Sequence, residues 1–308
     1  MNLTSLNVWL DVIFFWVWMA AIAFVVFHYT LSMFKLPVGS EKSRFRKSFI
    51  EGHWPEHDHR PTPGPKWIHG LHMAGIIILA ITGMYIRFPQ FPARDLMRNT
   101  HYFFMTVVII TFVWRLWWAF FSKQRDWREF AIGKKDLNSL LGVLAYYGYF
   151  TNDKPHVAKY NCAQKASYSL FVVMMLVQIF TGLALLRYNI LFGMSPRDLV
   201  VGWWLGPLVG GGATALWYMR MVHYVLNWMF IIMMTIHFYL AASVDIPCTL
   251  DFFGLTKMKT TGDHDDVDSE PVEPVSVPGI APAPAVAGAG GVATAVGPDL
   301  EWSPDSQS

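Results

Sequence analysis

His223 and His237 stand fourteen residues apart inside one apolar stretch, Met221 to Ser243. A bilayer holds a polar imidazole only where a partner offsets its lost hydration. Fourteen helical steps advance ~21 Å and bring the two rings back to within about 40° of one face. One helix can therefore give one ligand to each of two metal centres stacked along the membrane normal. Two further apolar stretches open on a histidine, His69 in Lys66-Trp67-Ile68-His69 and His101 in Asn99-Thr100-His101-Tyr102. Four ligands for two bis-histidine sites are then at hand, the pattern of a dihaem b-type cytochrome.

The elements that must carry these ligands are membrane spans. Hydrophobic residues make up 54% of the chain and aromatic ones 16%, with 14 Trp, a composition suited to a multi-pass protein with interfacial aromatic belts. Hydropathy predicts five spans, near Val8 to Met33, Ile68 to Phe88, Tyr102 to Phe121, Ala166 to Leu186 and Met221 to Ser243. The first has no Lys or Arg ahead of it, is too long for a signal peptide and is expected to remain as a helix. Cys162 and Cys248 are the only cysteines, so there is no disulfide framework, no CxxC pair and no CxxCH attachment site. Haem would be held non-covalently.

Lys and Arg favour the cytoplasmic side. The first loop carries Lys35, Lys42, Arg44, Arg46 and Lys47, and the third Lys123, Arg125, Arg128, Lys134, Lys135, Lys154 and Lys159. The second has only Arg87, Arg94 and Arg98, and the fourth only Arg187, Arg197 and Arg220. A bacterial cytoplasmic-membrane protein with its N-terminus outside and its C-terminus inside is expected. Beyond Lys259 the chain has nine acidic residues, no Lys or Arg, and an Ala/Pro/Gly/Val tract, the composition of a disordered tail. The remainder holds 13 acidic against 24 basic residues, a charge that reflects topology and not nucleic-acid binding.

Alternating spans place His101 and His223 at the outer level and His69 and His237 at the inner one. The expected pairs are His101 with His223 for an outer haem and His69 with His237 for an inner haem. Two axial imidazoles leave no open position on iron, which points to one-electron transfer and not oxygenation. Arg220, one turn outward of His223, and Arg115, fourteen residues after His101, are candidates to pair with haem propionates; both also suit snorkelling at the interface. Gly83 and Gly182, each after a Thr, leave room for a macrocycle or a neighbouring helix. His72 is the rival to His69, His28 has no ligand partner at its level, and His53, His57 and His59 sit in a Pro-rich loop.

The run Lys159-Tyr160-Asn161-Cys162-Ala163-Gln164-Lys165, leading into a span that ends Phe180-Thr181-Gly182, resembles the KYNxxQK signature of the cytochrome b (gamma) subunit of membrane-bound formate dehydrogenases. The segments around His69, around His101 through Arg115, and His237 to Ala242 are similar to that subunit and to the b-type cytochrome of nickel-iron hydrogenases. The resemblance covers about Lys66 to Asp245. It implies a four-helix core with two b haems, an iron–sulfur partner subunit outside, and menaquinone or ubiquinone reduced near the inner haem beside Asn161, Gln164 and His237. Without the family, Asn161 also reads as an N-cap of the fourth span.

The expected fold is an all-α membrane protein, a four-helix haem-binding bundle plus one extra N-terminal helix. Its parts are an N-terminal transmembrane helix at 1–34, a cytoplasmic His/Pro-rich loop at 35–65, a dihaem core at 66–260 and an acidic tail at 261–308. The segment Asp136 to Phe150 suits an interfacial helix flooring a quinone pocket, and Trp203, Trp204 and Gly210 to Gly212 suit partner docking outside. The chain has no molybdopterin, nickel or iron–sulfur ligand set, which makes it an electron-transfer subunit beside a catalytic dehydrogenase, hydrogenase or reductase. A thiosulfate or polysulfide reductase cytochrome running quinol oxidation, and a haem-free quinone-binding anchor, are the rival readings. A cytochrome of the ascorbate or ferric-reductase kind would also bind two haems, without an iron–sulfur partner.

Overall fold

A computed structural model describes residues 3–54, 63–88, 92–123, 125–153, 155, 160–186, 188–189, 193–258 and 260. Its helices in chain order are α1 (Leu3–Ser32), α2 (Pro63–Arg87), α3 (Arg94–Phe121), α4 (Lys134–Tyr147), α5 (Cys162–Ala184), α6 (Leu205–Leu208), α7 (Gly212–Val244) and α8 (Ile246–Phe252), and no β-strand occurs among the described residues. α1, α2, α3, α5 and α7 are each long and apolar enough to cross a membrane. The chain is an all-α, multi-pass membrane protein. All five expected spans are present, but α3 begins at Arg94 and α7 at Gly212, eight and nine residues ahead of the apolar stretches. Hydropathy locates hydrocarbon, whereas the backbone ladder continues through polar residues until a breaker ends it.

Polar ties at the helix ends fix the directions. Arg87 at the end of α2 pairs with Asp11 of α1 at 2.9 Å, and the Tyr224 hydroxyl of α7 donates to the same carboxylate. At the opposite end Lys66 of α2 meets Asp251 of α8 at 2.6 Å, and His28 of α1 meets Tyr239 of α7 at 2.6 Å. Tyr188, just past α5, donates to Asn99 near the start of α3. So α1, α3 and α7 run parallel, with α2 and α5 opposed to them, between an Arg87 end and a Lys66 end.

The bundle core lies between these ends. Val108, Phe112, Met174, Met175, Leu226 and Phe230 are buried together, with Ile76 and Leu79 of α2 against them, so α2, α3, α5 and α7 meet in one apolar layer. α1 packs on the outside of α7 through Trp18, whose indole N–H donates to Thr235 and whose ring lies 6.3 Å from that of Trp228. Much of its remaining surface is exposed and apolar, including Trp9, Trp16 and Phe27, as a lipid-facing helix requires.

Two short helices close the Lys66 end. Asp245 caps α8 by accepting from the Cys248 N–H, and α8 then folds back against α2 through the Lys66–Asp251 pair. α4 begins where Asp136 accepts from the Gly133 N–H at 2.8 Å, and Lys165 of α5 reaches the same carboxylate at 2.9 Å. The other end of α4 meets α1: His28 Nε2 donates to Tyr147 O at 2.8 Å, while Arg44 donates to Tyr146 O at 2.6 Å and Thr151 O at 2.9 Å. These donors satisfy carbonyls that a helix C-terminus leaves without partners. His28 is a structural tie of α1 to α4 and α7 and not a bare interfacial residue. His57, His59, Lys154, Lys159, Arg187 and the acidic tail lie outside the described residues.

Candidate functional site

At the Arg87 end, His101 of α3 and His223 of α7 face each other with ring centroids 6.4 Å apart and planes inclined at 68°. A metal bound by imidazole nitrogens about 2 Å away on either side holds ring centres roughly 6 Å apart. Each ring is gripped from behind. His101 Nδ1 lies 2.8 Å from Thr82 Oγ1 of α2, and His223 Nδ1 lies 2.9 Å from Thr181 Oγ1 of α5. Glycine follows each threonine. A Cβ on Gly83 would lie 3.4 Å from His101 Cε1, and one on Gly182 would lie 3.2 Å from His223 Cε1. The space these glycines leave therefore admits the imidazoles themselves.

The pair fits a bis-histidine haem. His223 Nε2 has a long 3.4 Å contact with Gln178 Nε2, and Gln178 Oε1 is buried without a partner among the described residues. Both atoms are left poorly satisfied in a region where water is scarce. A cavity of about 510 Å³ opens between α2 and α7, lined by Ile76, Ala80, Met84, Met175, Gln178 and Asn227. Arg220 is exposed one turn ahead of His223.

At the Lys66 end the grouping is broader. His69 feels the charges of His237 and Arg115. Phe252 of α8 covers His69 at 5.2 Å between ring centroids. His237 is flanked by Tyr168 and Phe171, each 6.2 Å away, and Tyr168 packs on Tyr160 and Phe130. The Arg115 guanidinium lies 6.0 Å from the centre of the Phe130 ring. His72, one turn deeper than His69, places Nδ1 2.8 Å from Thr111 Oγ1 and stacks on Phe112. It shares the threonine contact of His101 and His223.

Asn161 and Gln164 form a reciprocal capping box at the start of α5. Asn161 Oδ1 accepts from the Gln164 N–H at 2.9 Å, and Gln164 Oε1 accepts from the Asn161 N–H at 3.0 Å. Each thereby spends its carbonyl oxygen on the helix terminus. Lys165, the last residue of the same motif, is buried and donates to Ala131 O at 3.1 Å as well as to Asp136. Asp136 is held below the usual carboxylate range, first by the Gly133 N–H and then by Lys165.

Four spans, a facing histidine pair and a second histidine group fourteen residues further along α7 describe a membrane cytochrome architecture. A family model for prokaryotic cytochrome b561 matches residues 60–247, more than half of the chain. The chain belongs to that family. Membership makes it a b-type membrane cytochrome that binds haem b and works in electron transfer. The cytochrome b561 match takes in α2 through α7, with every candidate ligand, and excludes α1. No curated protein matches the chain.

Several site residues carried no signal of their own in the sequence. Thr82 and Thr181 stand out only as the residues before Gly83 and Gly182, Thr111 lies within an apolar run, and their histidines lie on other helices. Tyr160 and Lys165 fall inside the KYNxxQK run and were within reach of it. Phe252 was not, because α8 follows the last span and turns back. Trp203 and Trp204 sit in the expected loop between α5 and α7, with their indole N–H groups donated to Leu199 O and Val200 O.

Proposed function

We propose that this cytochrome is the dihaem membrane subunit of a respiratory oxidoreductase, carrying electrons between an iron–sulfur partner and the quinone pool. The catalytic subunit beyond that partner would be of the formate dehydrogenase or hydrogenase type. The observation that carries the reading is the placement of ligand-competent histidines at two levels of one bundle, ~21 Å apart along α7. His101 and His223 would hold the first haem and His69 and His237 the second. His69 is taken ahead of His72 because, near the start of α2, it matches the expected depth of His237. Bound haem would supply reversible one-electron transfer.

The chain's own residues bind, orient and shield. Arg115 and Arg220 would neutralise propionates by charge-assisted hydrogen bonds. The apolar layer of Val108, Phe112, Met174 and Phe230 excludes water between the two levels. Menaquinone or ubiquinone would bind near His237, against Tyr168, with the amide NH₂ groups of Asn161 and Gln164 as the remaining donors. Excess Lys and Arg at the Lys66 end support a cytoplasmic assignment for that end and an outer one for the Arg87 end. The domain organisation then follows as an added N-terminal helix (1–34), a cytoplasmic loop (35–65), a dihaem core (66–260) and a tail (261–308).

Haem extraction and quantitation on purified protein tests the reading. Close to two b haems per chain are expected, and a value near zero would end it. Asn161→Ala or Gln164→Ala should slow quinone turnover while both haems remain spectrally intact; haem loss without a quinone defect would return these residues to helix capping alone.

A further inference from the structure

The dipeptide Thr-Gly occurs once in α2 and once in α5 and does the same work in each. The Thr82 hydroxyl lies 2.7 Å from Ile78 O, and the Thr181 hydroxyl 2.9 Å from Val177 O. A carbonyl can only accept, so each hydroxyl proton is spent on the helix backbone. Toward His101 and His223 the threonine oxygens can then act only as acceptors. Nδ1 of each imidazole must carry the ring proton, and in the neutral ring that leaves Nε2 as a bare lone pair. The His223 lone pair faces the Gln178 side-chain nitrogen of α5 at 3.4 Å, a contact long enough to give way to a metal.

We propose that Thr82 and Thr181 are positioning residues that lock His101 and His223 in the Nδ1–H tautomer, aim both Nε2 atoms at one metal and so set its reduction potential. The proposal rests on the reading of His101 and His223 as an axial pair. An Nδ1–H that donates to an oxygen makes the imidazole a more electron-rich ligand, which favours the ferric state, and such outer partners hold both ring orientation and metal affinity. The matched Gly83 and Gly182 keep each ring close enough to its threonine for the bond to form. Two helix pairs, α2 with α3 and α5 with α7, thus present their histidines through the same device.

The test compares Thr82→Val, Thr82→Ala and Thr82→Ser, and the same three changes at Thr181, in the whole purified protein. Haem content and the midpoint potential of each haem are read by spectroelectrochemistry. Loss of the hydroxyl should raise the potential of one haem and leave the other in place. The expected size is about a tenfold change in its ferrous-to-ferric ratio, 59 mV for a one-electron couple. Haem retention at that site should fall roughly tenfold. The serine variants should restore both values.

Unchanged potentials and haem content in the valine and alanine variants would overturn the proposal. So would loss of both haems together with failure of serine to restore them, since the threonines would then hold the bundle and not the ligand. Failure of the underlying reading looks different: wild-type protein without haem, or His223→Ala retaining both haems, removes the axial pair itself.

Discussion

His101 and His223 hold their ring planes at 68° to each other, each fixed from behind by a threonine on a different helix. Crossed axial planes leave the two iron π-orbitals close in energy, whereas parallel planes split them. Electron paramagnetic resonance of the oxidised protein should therefore contain a highly anisotropic low-spin signal, lost in His223→Ala. An ordinary rhombic spectrum from every haem would show that the planes realign.

The two glycines should not be equivalent. A methyl group on Gly182 would meet His223 Cε1 at 3.2 Å, while one on Gly83 has 3.4 Å to His101 Cε1. Since overpacking in a tight site typically costs ~1–3 kcal/mol, Gly182→Ala should displace haem more than Gly83→Ala. Haem retained per chain after detergent extraction gives the ranking, and the opposite order would mean that α5 yields more readily than α2.

The Asp136–Lys165 tie should withstand mild acid. A carboxylate whose pKa is lowered by folding adds stability above its unfolded value, about 4, and loses it only as pH falls through the lowered folded value. Limited proteolysis around α4 should then be as slow at pH 5 as at pH 7 in the wild type. Asp136→Asn should be cut faster at both. A wild type that opens near pH 5 would count against the assignment.

Arg44 serves two carbonyls at once, on Tyr146 and Thr151, and stacks its guanidinium 3.9 Å from the Tyr146 ring centre. Arg44→Gln should raise hydrogen exchange through Ala145 to Tyr149 by an amount corresponding to roughly 1.5–3 kcal/mol, the usual worth of hydrogen bonds to a charged group. Arg44→Lys should recover only part of it, because an ammonium lacks the planar fork. Equal exchange in all three proteins would mean that His28 alone holds this end of α4.

Asp11 is the polar anchor of α1 at the Arg87 end, accepting from both Arg87 and Tyr224. Asp11→Leu leaves a guanidinium and a phenol without their acceptor at the bundle edge, a cost of about 1–3 kcal/mol. Thermal unfolding in detergent should drop accordingly while the haem spectrum at low temperature stays unchanged, since no candidate ligand lies on α1. A spectral change at low temperature would tie α1 to the haem-bearing face of α7.

The spans, their order and the two histidine levels were legible because a bilayer imposes a length and α7 imposes a fourteen-residue rhythm on His223 and His237. The threonine partners were not. Thr82 and His101 are neighbours across two helices, and a hydroxyl in an apolar run has no periodicity to betray its partner. His28 shows the same limit in reverse: its level was readable, but its ties to Tyr239 and Tyr147 depend on how α1 and α4 dock. Asn161 and Gln164 were readable twice over, as a helix cap and as a family motif, and the capping box satisfies the first reading without using up their amide donors.

The parallel course of α1 and α7 makes the number of crossings odd. The residues just ahead of Asp11 and those just past Asp251 therefore emerge on opposite faces of the bilayer, whichever face is which. A reporter fused before α1 and another fused after α8 would sit in different compartments. A protein that recognises the residues just ahead of Asp11 would not meet, in an intact cell, one that recognises the residues just past Asp251.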